Sequence, residues 1–426
     1  MTEAIRFTTH YLIKNPDVAK YDAIEDFSSL DYKTEEKIRM AYIYDEETDI
    51  LRIPAGVGDD YVKRVFNVKE IKQGTVTPFQ PSQYNMINTP KDKQLLAIEK
   101  ILKVLKTNTQ VKCDLPTGTG KTFTATYLIG VMKLKPLIIV GTDNLRKQWV
   151  ESFLAHTDIN PNRILLMEGA KAFGYNYEDK DVFITTHHTI RSILPYNSEK
   201  NIMMFNKWLI NNGIGVKVFD EADLETISMF KIDLLTSVLR TIYLTATDYK
   251  SSKEDDKVFQ LATKNIHKFG SEFFADIIPD RVAKLALINS KPGQALFARS
   301  MSFANDFSPV KYCEYLFVYR LDIIKYFCNK AKELWEYCVD KHNPKARLLI
   351  TVSRKAYCFI LRDILCEEWG MSYKDIGVYN SSVDPKWKQL EFSKKIIIST
   401  LKSMGRGVDA PNLMVHYDSE PYSSGS

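Results

Sequence analysis

Two short segments of this sequence could together bind a nucleotide and promote its hydrolysis. The first is Leu115-Pro-Thr-Gly-Thr-Gly-Lys-Thr122, a glycine-rich turn that ends in a lysine and a threonine. The second is Asp220-Glu-Ala-Asp223, which follows an apolar run and begins 99 residues after Lys121. Glycines and a lysine can hold phosphates, and a carboxylate at a strand end can hold a divalent cation. The two segments therefore predict one phosphate and metal site.

The glycine-rich turn lies between a predicted strand and a predicted helix. Its glycines leave backbone N–H groups open to an anion, and the positive end of the helix dipole adds to the attraction. Leu115 stands where the strict phosphate-loop pattern has glycine, so a plain surface turn beside a lysine is the alternative. The strand before and the helix after favour the phosphate loop. Its phosphate ligands would be Thr117, Gly118, Thr119, Gly120, Lys121 and Thr122, with the Thr122 hydroxyl also suited to Mg²⁺.

The acidic segment supplies the groups that phosphate hydrolysis needs beside a phosphate loop. Asp220 ends a β-branched, apolar strand, where an aspartate can hold the Mg²⁺ that bridges two phosphates. Glu221 can orient or deprotonate the attacking water, which is a general-base role. An exposed acidic turn is the alternative, but the spacing from Lys121 and the preceding apolar run favour the site. The predicted catalytic residues are therefore Lys121, Asp220 and Glu221.

Buried strands alternating with helices must position these residues. Apolar runs predict strands at 136–141, 181–186, 216–219 and 241–247, in addition to the run that enters the turn. This alternation predicts a doubly wound parallel-sheet α/β domain over residues 76–250, with polar residues at the carboxyl ends of its strands. A second α/β unit over 346–426 has predicted strands 347–353, 375–379 and 395–400 but lacks a phosphate turn. One nucleotide site for two such units suggests a site in the cleft between them.

The remaining segments carry weaker patterns. Residues 1–75 predict a small α+β accessory domain that could bind DNA, with two short strands around an acidic turn at 41–54. Residues 74–88 have the composition of a linker, and a helix with an apolar stripe follows from Thr89. Residues 251–345 predict a helical connecting segment rich in aromatic side chains. These aromatics could stack on bases, although packing within a core is the favoured interpretation.

Composition excludes a membrane-spanning or disulfide-rich protein. The 426 residues are 45% hydrophobic and 26% charged, as in ordinary globular proteins, and no apolar run approaches the length of a span. The N-terminus has no secretory apolar stretch, so we expect a cytoplasmic protein without membrane contact. The six cysteines have no Cys-x-x-Cys spacing and are expected to be buried thiols. Residues 345–410 contain 12 Lys/Arg against 7 Asp/Glu, which suits a polyanionic partner or, equally, a solvated charged face.

Taken in order along the chain, these segments resemble the motifs of superfamily 2 helicases and translocases over about residues 90–418. Several motifs in the right order are far harder to obtain by chance than any one of them. The corresponding segments are 115–122 (motif I), 141–149 (Ia), 184–188 (Ib), 220–223 (II), 245–247 (III), 349–353 (IV) and 399–400 with 405–411 (V).

The resemblance implies a motor that binds ATP with Mg²⁺ between two RecA-like domains, with Gly407 and Asp409 completing the ATP site from the second one. It also implies that nucleic acid crosses the opposite edge of both domains. Gln94, which from composition alone is more simply a surface glutamine, corresponds to the glutamine on the adenine side. The implied phosphate contacts to DNA are Thr142, Thr186, Ser353 and Thr400. The residues implied to couple the ATP site to DNA are Asp223, Thr245 and Thr247.

Within the superfamily, 148–149 and 184–187 are closer to the DNA branch that contains phage and bacterial fork-remodelling and branch-migration helicases. The chain resembles the phage-encoded members of that branch, which would act in the host cytoplasm. The implied function is ATP-dependent unwinding or branch migration of forked, branched or single-stranded DNA by a monomer, in recombination, repair or replication. The alternatives are an RNA helicase and an ATP-responsive nucleic-acid clamp that hydrolyses little ATP.

The family pattern also has a sixth motif, Gln-x-x-Gly-Arg-x-x-Arg, whose arginine finger contacts the phosphates. No such segment follows motif V in this sequence. We expect either that the sequence is part of a longer chain or that the arginine comes from elsewhere, with Arg406 as a weak candidate. Since an arginine finger is worth about 10³-fold to 10⁵-fold in rate, hydrolysis by this chain alone is expected to be slow.

Overall fold

The structure is a computed structural model that describes residues 2–30, 38–115, 120–193, 199–222, 226–245, 253–274, 308–400, 403–404 and 412–419. The chain divides into two compact units, residues 1–282 and 283–426. The predicted domain boundaries at residues 75, 250 and 345 remain predictions.

The first unit begins with a mixed five-stranded sheet in the order β5-β6-β2-β1-β7. Its strands are β1 (Glu3–Arg6), β2 (His10–Lys14), β5 (Ile43–Asp45), β6 (Ile50–Pro54) and β7 (Ile71–Gln73). A separate antiparallel pair, β3 (Ser28–Leu30) and β4 (Ile38–Met40), and two helices, α1 (Ala19–Asp26) and α2 (Asp59–Phe66), accompany the sheet. The two strands predicted around the acidic turn are confirmed as the antiparallel pair β5 and β6.

The same unit continues into a seven-stranded sheet whose order is β10-β11-β9-β12-β13-β8-β14 and whose neighbouring strands all run parallel. The strands are β8 (Gln110–Asp114), β9 (Lys135–Val140), β10 (Ile164–Leu166), β11 (Val182–Thr186), β12 (Ile214–Phe219), β13 (Arg240–Thr245) and β14 (His267–Phe269). The helices are α3 (Asp92–Thr107), α4 (Lys121–Met132), α5 (Asp143–His156), α6 (His187–Ile193), α7 (Glu199–Asn211), α8 (Thr226–Asp233) and α9 (Lys253–Thr263). The central strands are buried on both faces because helices cover the sheet, which is why most of their residues are apolar.

The N-terminal sheet packs directly on the seven-stranded sheet. One continuous apolar core contains Leu51 and Ile53 of β6 together with Phe219 of β12. The Thr9 hydroxyl donates to the carbonyl oxygens of Asp233 and Thr236, at 2.8 and 2.6 Å, and so binds the end of α8. The two sheets therefore form a single folded unit.

The second unit contains a four-stranded parallel sheet in the order β16-β17-β15-β18. Its strands are β15 (Arg347–Val352), β16 (Ile376–Tyr379), β17 (Ile396–Thr400) and β18 (Leu413–Asp418). Its described helices are α10 (Pro309–Tyr319), α11 (Leu321–Lys341), α12 (Lys355–Trp369) and α13 (Pro385–Phe392). The predicted fold class, two RecA-like parallel-sheet α/β domains in tandem with a small N-terminal α+β domain, is confirmed.

The structure also differs in detail from the sequence-based expectations. The edge strand β14 belongs to the seven-stranded sheet, although it lies in the segment 251–345 that was predicted to be a helical connection. The predicted linker 74–88 is anchored to the sheet domain, since Tyr84 is buried in its core and Met86 pairs with Thr157. The expected free thiols are confirmed, with five of the six cysteines buried. Among the helices of the described residues, none has the length and apolarity that crossing a membrane requires.

Candidate functional site

The site lies at the carboxyl edge of the seven-stranded sheet, where parallel strands end side by side. Strand β8 ends at Asp114, and α4 begins at Lys121 after Gly120. Gly120 has a φ of +81°, in the left-handed region that favours glycine, so the turn can enter the helix here. The turn residues Thr117, Gly118 and Thr119 lie outside the described residues, and their phosphate contacts remain predictions.

Lys121 and Asp220 form the centre of the site. The Lys121 ammonium lies 2.7 Å from Asp220 Oδ1, and the Asp220 side chain is only 1% exposed. Oδ1 also accepts a hydrogen bond of 3.0 Å from the Glu221 backbone N–H. Oδ2 accepts one of 2.9 Å from the indole N–H of Trp149. The structure thus brings together the lysine of motif I and the first carboxylate of motif II, as their predicted roles require.

Glu221 follows in a conformation that few non-glycine residues adopt. Its φ of +55° is left-handed, and its side chain is largely buried. A Cβ built on Gly141, at the end of β9, would lie 3.9 Å from Glu221 Oε2, which places the carboxylate over that strand end. The next residue, Ala222, donates its N–H to the Leu244 carbonyl on β13 at 2.9 Å. Backbone strain is commonly retained at functional sites, which agrees with the general-base role predicted for Glu221.

The site fits a magnesium nucleotide. The Lys121 ammonium contacts the buried Asp220 carboxylate, so the space beside this carboxylate favours a cation. Thr122 lies in the first turn of α4, beside Lys121. Within the described part of the chain, no group of three or more His, Cys, Asp or Glu could form a metal cage. Mg²⁺ does not need one, because it takes one or two carboxylates together with waters and substrate phosphates.

Gln94 lies close to the phosphate turn. It is in the first turn of α3, and a Cβ on Gly120 would stand 3.1 Å from its Nε2. The amide is therefore adjacent to the last glycine of the turn, where it could contact a bound nucleotide. This proximity supports the adenine-side role that the resemblance implies.

The predicted DNA contacts are placed at strand and helix termini. Thr142 is exposed and caps α5, with its hydroxyl accepting the Leu145 N–H at 3.4 Å. Thr186 ends β11 beside β9, but it is buried and its hydroxyl caps α6 through the Thr189 N–H. In the second unit, Thr400 ends β17 and its hydroxyl bonds Ser403 at 2.8 Å, while half-buried Ser353 follows β15. These four assignments remain predictions.

Of the predicted coupling residues, Thr245 lies in the described part of the chain. It ends β13 and is fully buried, and its carbonyl accepts the Leu115 N–H at 2.8 Å. This bond joins the motif III strand to the start of the phosphate turn. The other predicted coupling and cleft residues lie outside the described residues, namely Asp223, Thr247, Arg406, Gly407 and Asp409.

The tandem histidines at 187–188 belong to the motif Ib segment and lie where β11 passes into α6. His187 begins α6 and is buried, and its Nδ1 lies 3.2 Å from Ser228 Oγ. Burial lowers the pKa of His187 to about 3, so the imidazole is neutral at physiological pH. Its neighbours and its burial are those of a packed core histidine.

Sequence reasoning missed the contact of Trp149 with Asp220. The sequence places Trp149 only within the motif Ia segment, because nothing in it relates this tryptophan to a carboxylate 71 residues away. The available signal was its position on the helix that follows β9, the strand next to β12.

Comparisons with known proteins agree with the motifs. Residues 87–249 match the family model described as "Type III restriction enzyme, res subunit". Among curated proteins, none matches the chain significantly.

Three solved structures illustrate the structural likeness. The Sulfolobus solfataricus SWI2/SNF2 ATPase core in complex with dsDNA has 14% identity and a TM-score of 0.36, covering 80% of this chain and 90% of that one. UvsW of bacteriophage T4 has 14% identity and a TM-score of 0.40, covering 99% and 85%. The Hef helicase domain of Pyrococcus furiosus has 13% identity and a TM-score of 0.43, covering 78% and 90%. At these TM-scores, the three structures add nothing to the fold that the chain's own sheets define.

The family match covers motifs I, Ia, Ib, II and III, and the described residues of these motifs meet at one edge of a parallel sheet. The resemblance to superfamily 2 helicases and translocases that the motifs carry is thus confirmed for residues 87–249.

Proposed function

We propose that the protein is an ATP-driven motor that unwinds or branch-migrates forked or junction DNA in recombination, repair or replication. The observation that carries the proposal is the 2.7 Å contact between Lys121 and Asp220 at the carboxyl edge of the parallel sheet. Phosphoryl transfer depends mainly on positioning the reactants and on stabilising charge. The pair supplies an ammonium for the phosphates and a carboxylate for the metal ion. ATP is the proposed substrate and Mg²⁺ the proposed cofactor, in the cytoplasm.

Each residue of the site would have a distinct role in hydrolysis. Lys121 would leave Asp220 and bind the phosphates, and Asp220 would hold Mg²⁺ together with Thr122. When bound, Mg²⁺ would neutralise the charge that develops on the phosphoryl oxygens. Glu221 would accept the proton of the attacking water, and Gln94 would contact the adenine. Gly407 and Asp409 are proposed to complete the site.

The placement of Thr142 and Thr186 supports a DNA track at the carboxyl edge of the sheet, the edge that also holds Lys121 and Asp220, and not at the opposite edge that the resemblance implies. Thr142 follows β9 by two residues and Thr186 ends the adjacent strand β11, and each caps the helix that follows. Helix N-termini attract phosphates through backbone N–H groups and the helix dipole. Ser353 and Thr400 are the DNA contacts proposed for the second unit. Such contacts position a strand without reading its bases, as a motor that moves along any sequence requires.

The experiment that tests the proposal is ATP hydrolysis by the full chain with different nucleic acids. Forked DNA and a four-way junction should stimulate hydrolysis more than linear duplex or single-stranded RNA does. Stronger stimulation by RNA would instead identify an RNA helicase. Tight binding of DNA and ATP without turnover would identify an ATP-responsive clamp.

A lysine variant separates turnover from DNA binding. Lys121→Ala should lower hydrolysis by roughly 10²-fold to 10³-fold, as expected for loss of a group that stabilises transition-state charge. Its salt-dependent DNA affinity should stay close to that of the unaltered protein, because phosphate neutralisation elsewhere sets that affinity. Lys103→Ala, at an exposed lysine on α3, is the matched control and should hydrolyse ATP normally. Normal turnover by Lys121→Ala would contradict the assignment of the site.

A further inference from the structure

Both oxygens of the Asp220 carboxylate are held, and by different parts of the fold. Oδ1 faces Lys121 at 2.7 Å and the Glu221 N–H at 3.0 Å. Oδ2 faces the indole N–H of Trp149 at 2.9 Å. Trp149 is 0% exposed, so its N–H has no access to water, and it cannot act as an acceptor. The indole therefore fixes the direction of the oxygen that Lys121 leaves uncovered.

Trp149 also connects this carboxylate to a helix with an exposed N-terminus. Helix α5 is capped by the exposed Thr142, and Trp149 follows seven residues later, about 10 Å along the axis. The indole packs in the apolar core, with its ring centroid 6.3 Å from that of Phe153 on the same helix. A helix is stiff over two turns, so displacement of its N-terminus moves the indole N–H as well.

We propose that Trp149 is a positioning residue that orients Asp220 toward the metal side of the site and transmits movement of α5 to that carboxylate. The transmission step rests on the proposed function, because it takes the N-terminus of α5 to be a DNA contact. DNA bound at Thr142 would hold α5 in one position, and the bond from Trp149 would then hold Asp220 in the orientation that serves catalysis. The orienting step depends only on the contact between the indole and the carboxylate.

Trp149→Phe tests the orienting step because it keeps an aromatic ring in the core and removes the N–H. A hydrogen bond to a buried charge is strong, so kcat should fall about 10-fold to 100-fold. The KM for ATP in excess Mg²⁺ should change by less than about twofold, since the phosphate turn is intact. The Mg²⁺ concentration for half-maximal activity should rise about threefold or more, because the carboxylate loses its fixed orientation.

Trp208→Phe is the matched control. Trp208 is also buried, at 3% exposure, and its indole N–H has no hydrogen-bond partner among the described residues. It should leave kcat and the Mg²⁺ dependence unchanged. If Trp149→Phe behaves like Trp208→Phe in both measurements, the orienting role is wrong.

A measurement without turnover keeps the proposal testable even if Trp149→Phe does not fold. The chain has five tryptophans, so the indole N–H region of a ¹⁵N–¹H spectrum of the nucleotide-free protein is sparse. Asp220→Asn should shift the Trp149 resonance, because the acceptor loses its charge, and leave the Trp208 resonance in place. Absence of that shift overturns the orienting step.

Forked DNA added to the nucleotide-free, unaltered protein tests the transmission step. It should shift the same Trp149 resonance and leave that of Trp208 unchanged. A Trp149 resonance that responds to Asp220→Asn but not to bound DNA overturns transmission through α5. Failure of the proposed function itself would be seen separately, as hydrolysis by the unaltered protein that no nucleic acid stimulates.

Discussion

A buried lysine in the seven-stranded sheet, Lys217, provides the sharpest test of how that sheet is stabilised. Lys217 is 0% exposed in the middle of β12, with its ammonium 2.5 Å from Asp233 Oδ1 and also donating to Thr236. The Tyr243 hydroxyl donates to Asp233 Oδ2 at 2.5 Å and accepts from Gln110 Nε2 at 2.5 Å. The network thus joins β8, β12, β13 and the end of α8. Those three strands end in motifs I, II and III, so the network fixes the positions of the strands that carry all three motifs.

Lys217→Met keeps the length of the side chain and removes its charge. Burial lowers the pKa of Lys217 and raises that of Asp233, whereas their mutual attraction opposes both shifts. Removing one partner of a buried pair leaves the other without compensation and costs about 3–5 kcal/mol. For a folded unit of this size, that corresponds to a fall of about 6 to 15 °C in apparent Tm.

The assay is urea unfolding of the full chain, followed by tryptophan fluorescence, in a double-mutant cycle with Asp233→Asn. The double variant removes both charges, so it should be more stable than the sum of the single changes predicts. The coupling free energy should be about 2–3 kcal/mol. Lys72→Met is the exposed control. Lys72 pairs with Glu3 but is 65% exposed, so its loss should leave the stability nearly unchanged.

Two results would refute the assignment of Lys217 to a structural pair. One is a loss of stability in Lys217→Met no larger than that of Lys72→Met. The other is strict additivity in the cycle, which would mean that Lys217 and Asp233 do not interact in the folded protein.

Two further predictions concern backbone conformation and pH. Gly120→Ala adds a Cβ to a residue with left-handed φ, 3.1 Å from Gln94 Nε2. The substitution should therefore weaken binding of a fluorescent ATP analogue by about 5-fold to 30-fold. Unchanged affinity would show that Gly120 is not needed in this conformation. Burial lowers the pKa of His10 to about 3. The neutral imidazole therefore contributes its full stability above about pH 6.5, the pKa of an unfolded histidine. As the pH falls from there toward 3, the free energy of unfolding decreases by about 1.4 kcal/mol per pH unit. His10→Gln should reduce the slope of unfolding free energy between pH 6.5 and 5 by about that amount, and an unchanged slope would contradict it.

The sequence predicted those parts of the site that local pattern and chain order determine. Strands buried on both faces consist mostly of apolar residues, so β9, β12 and β17 could be recognised directly. Parallel strands end at one edge, so Lys121 and Asp220 were expected to meet although 99 residues separate them. The glycine with left-handed φ was likewise predictable, because Gly120 stands where strand and helix must be joined.

The sequence did not predict contacts that depend on tertiary packing. Lys217 interrupts an apolar strand, and only the folded sheet shows that Asp233 lies opposite it. The docking of Thr9 on α8 joins segments more than 220 residues apart, without any local pattern. Strand β14 has three residues, too few for a period to be visible, and it forms because the edge of β8 is open to pairing.

The same contacts explain how one lysine can serve two states of the site. A buried carboxylate without a cation is costly, and in this structure the Lys121 ammonium compensates Asp220. If Lys121 turns to the phosphates of a nucleotide, Asp220 must receive another cation at once, or the triphosphate would face an unpaired negative charge. Binding of nucleotide and of metal would therefore be coupled through Lys121. Trp149 would keep the carboxylate in place during the exchange, since its hydrogen bond uses the other oxygen. The lysine pair and the indole bond thus have complementary roles at one carboxylate.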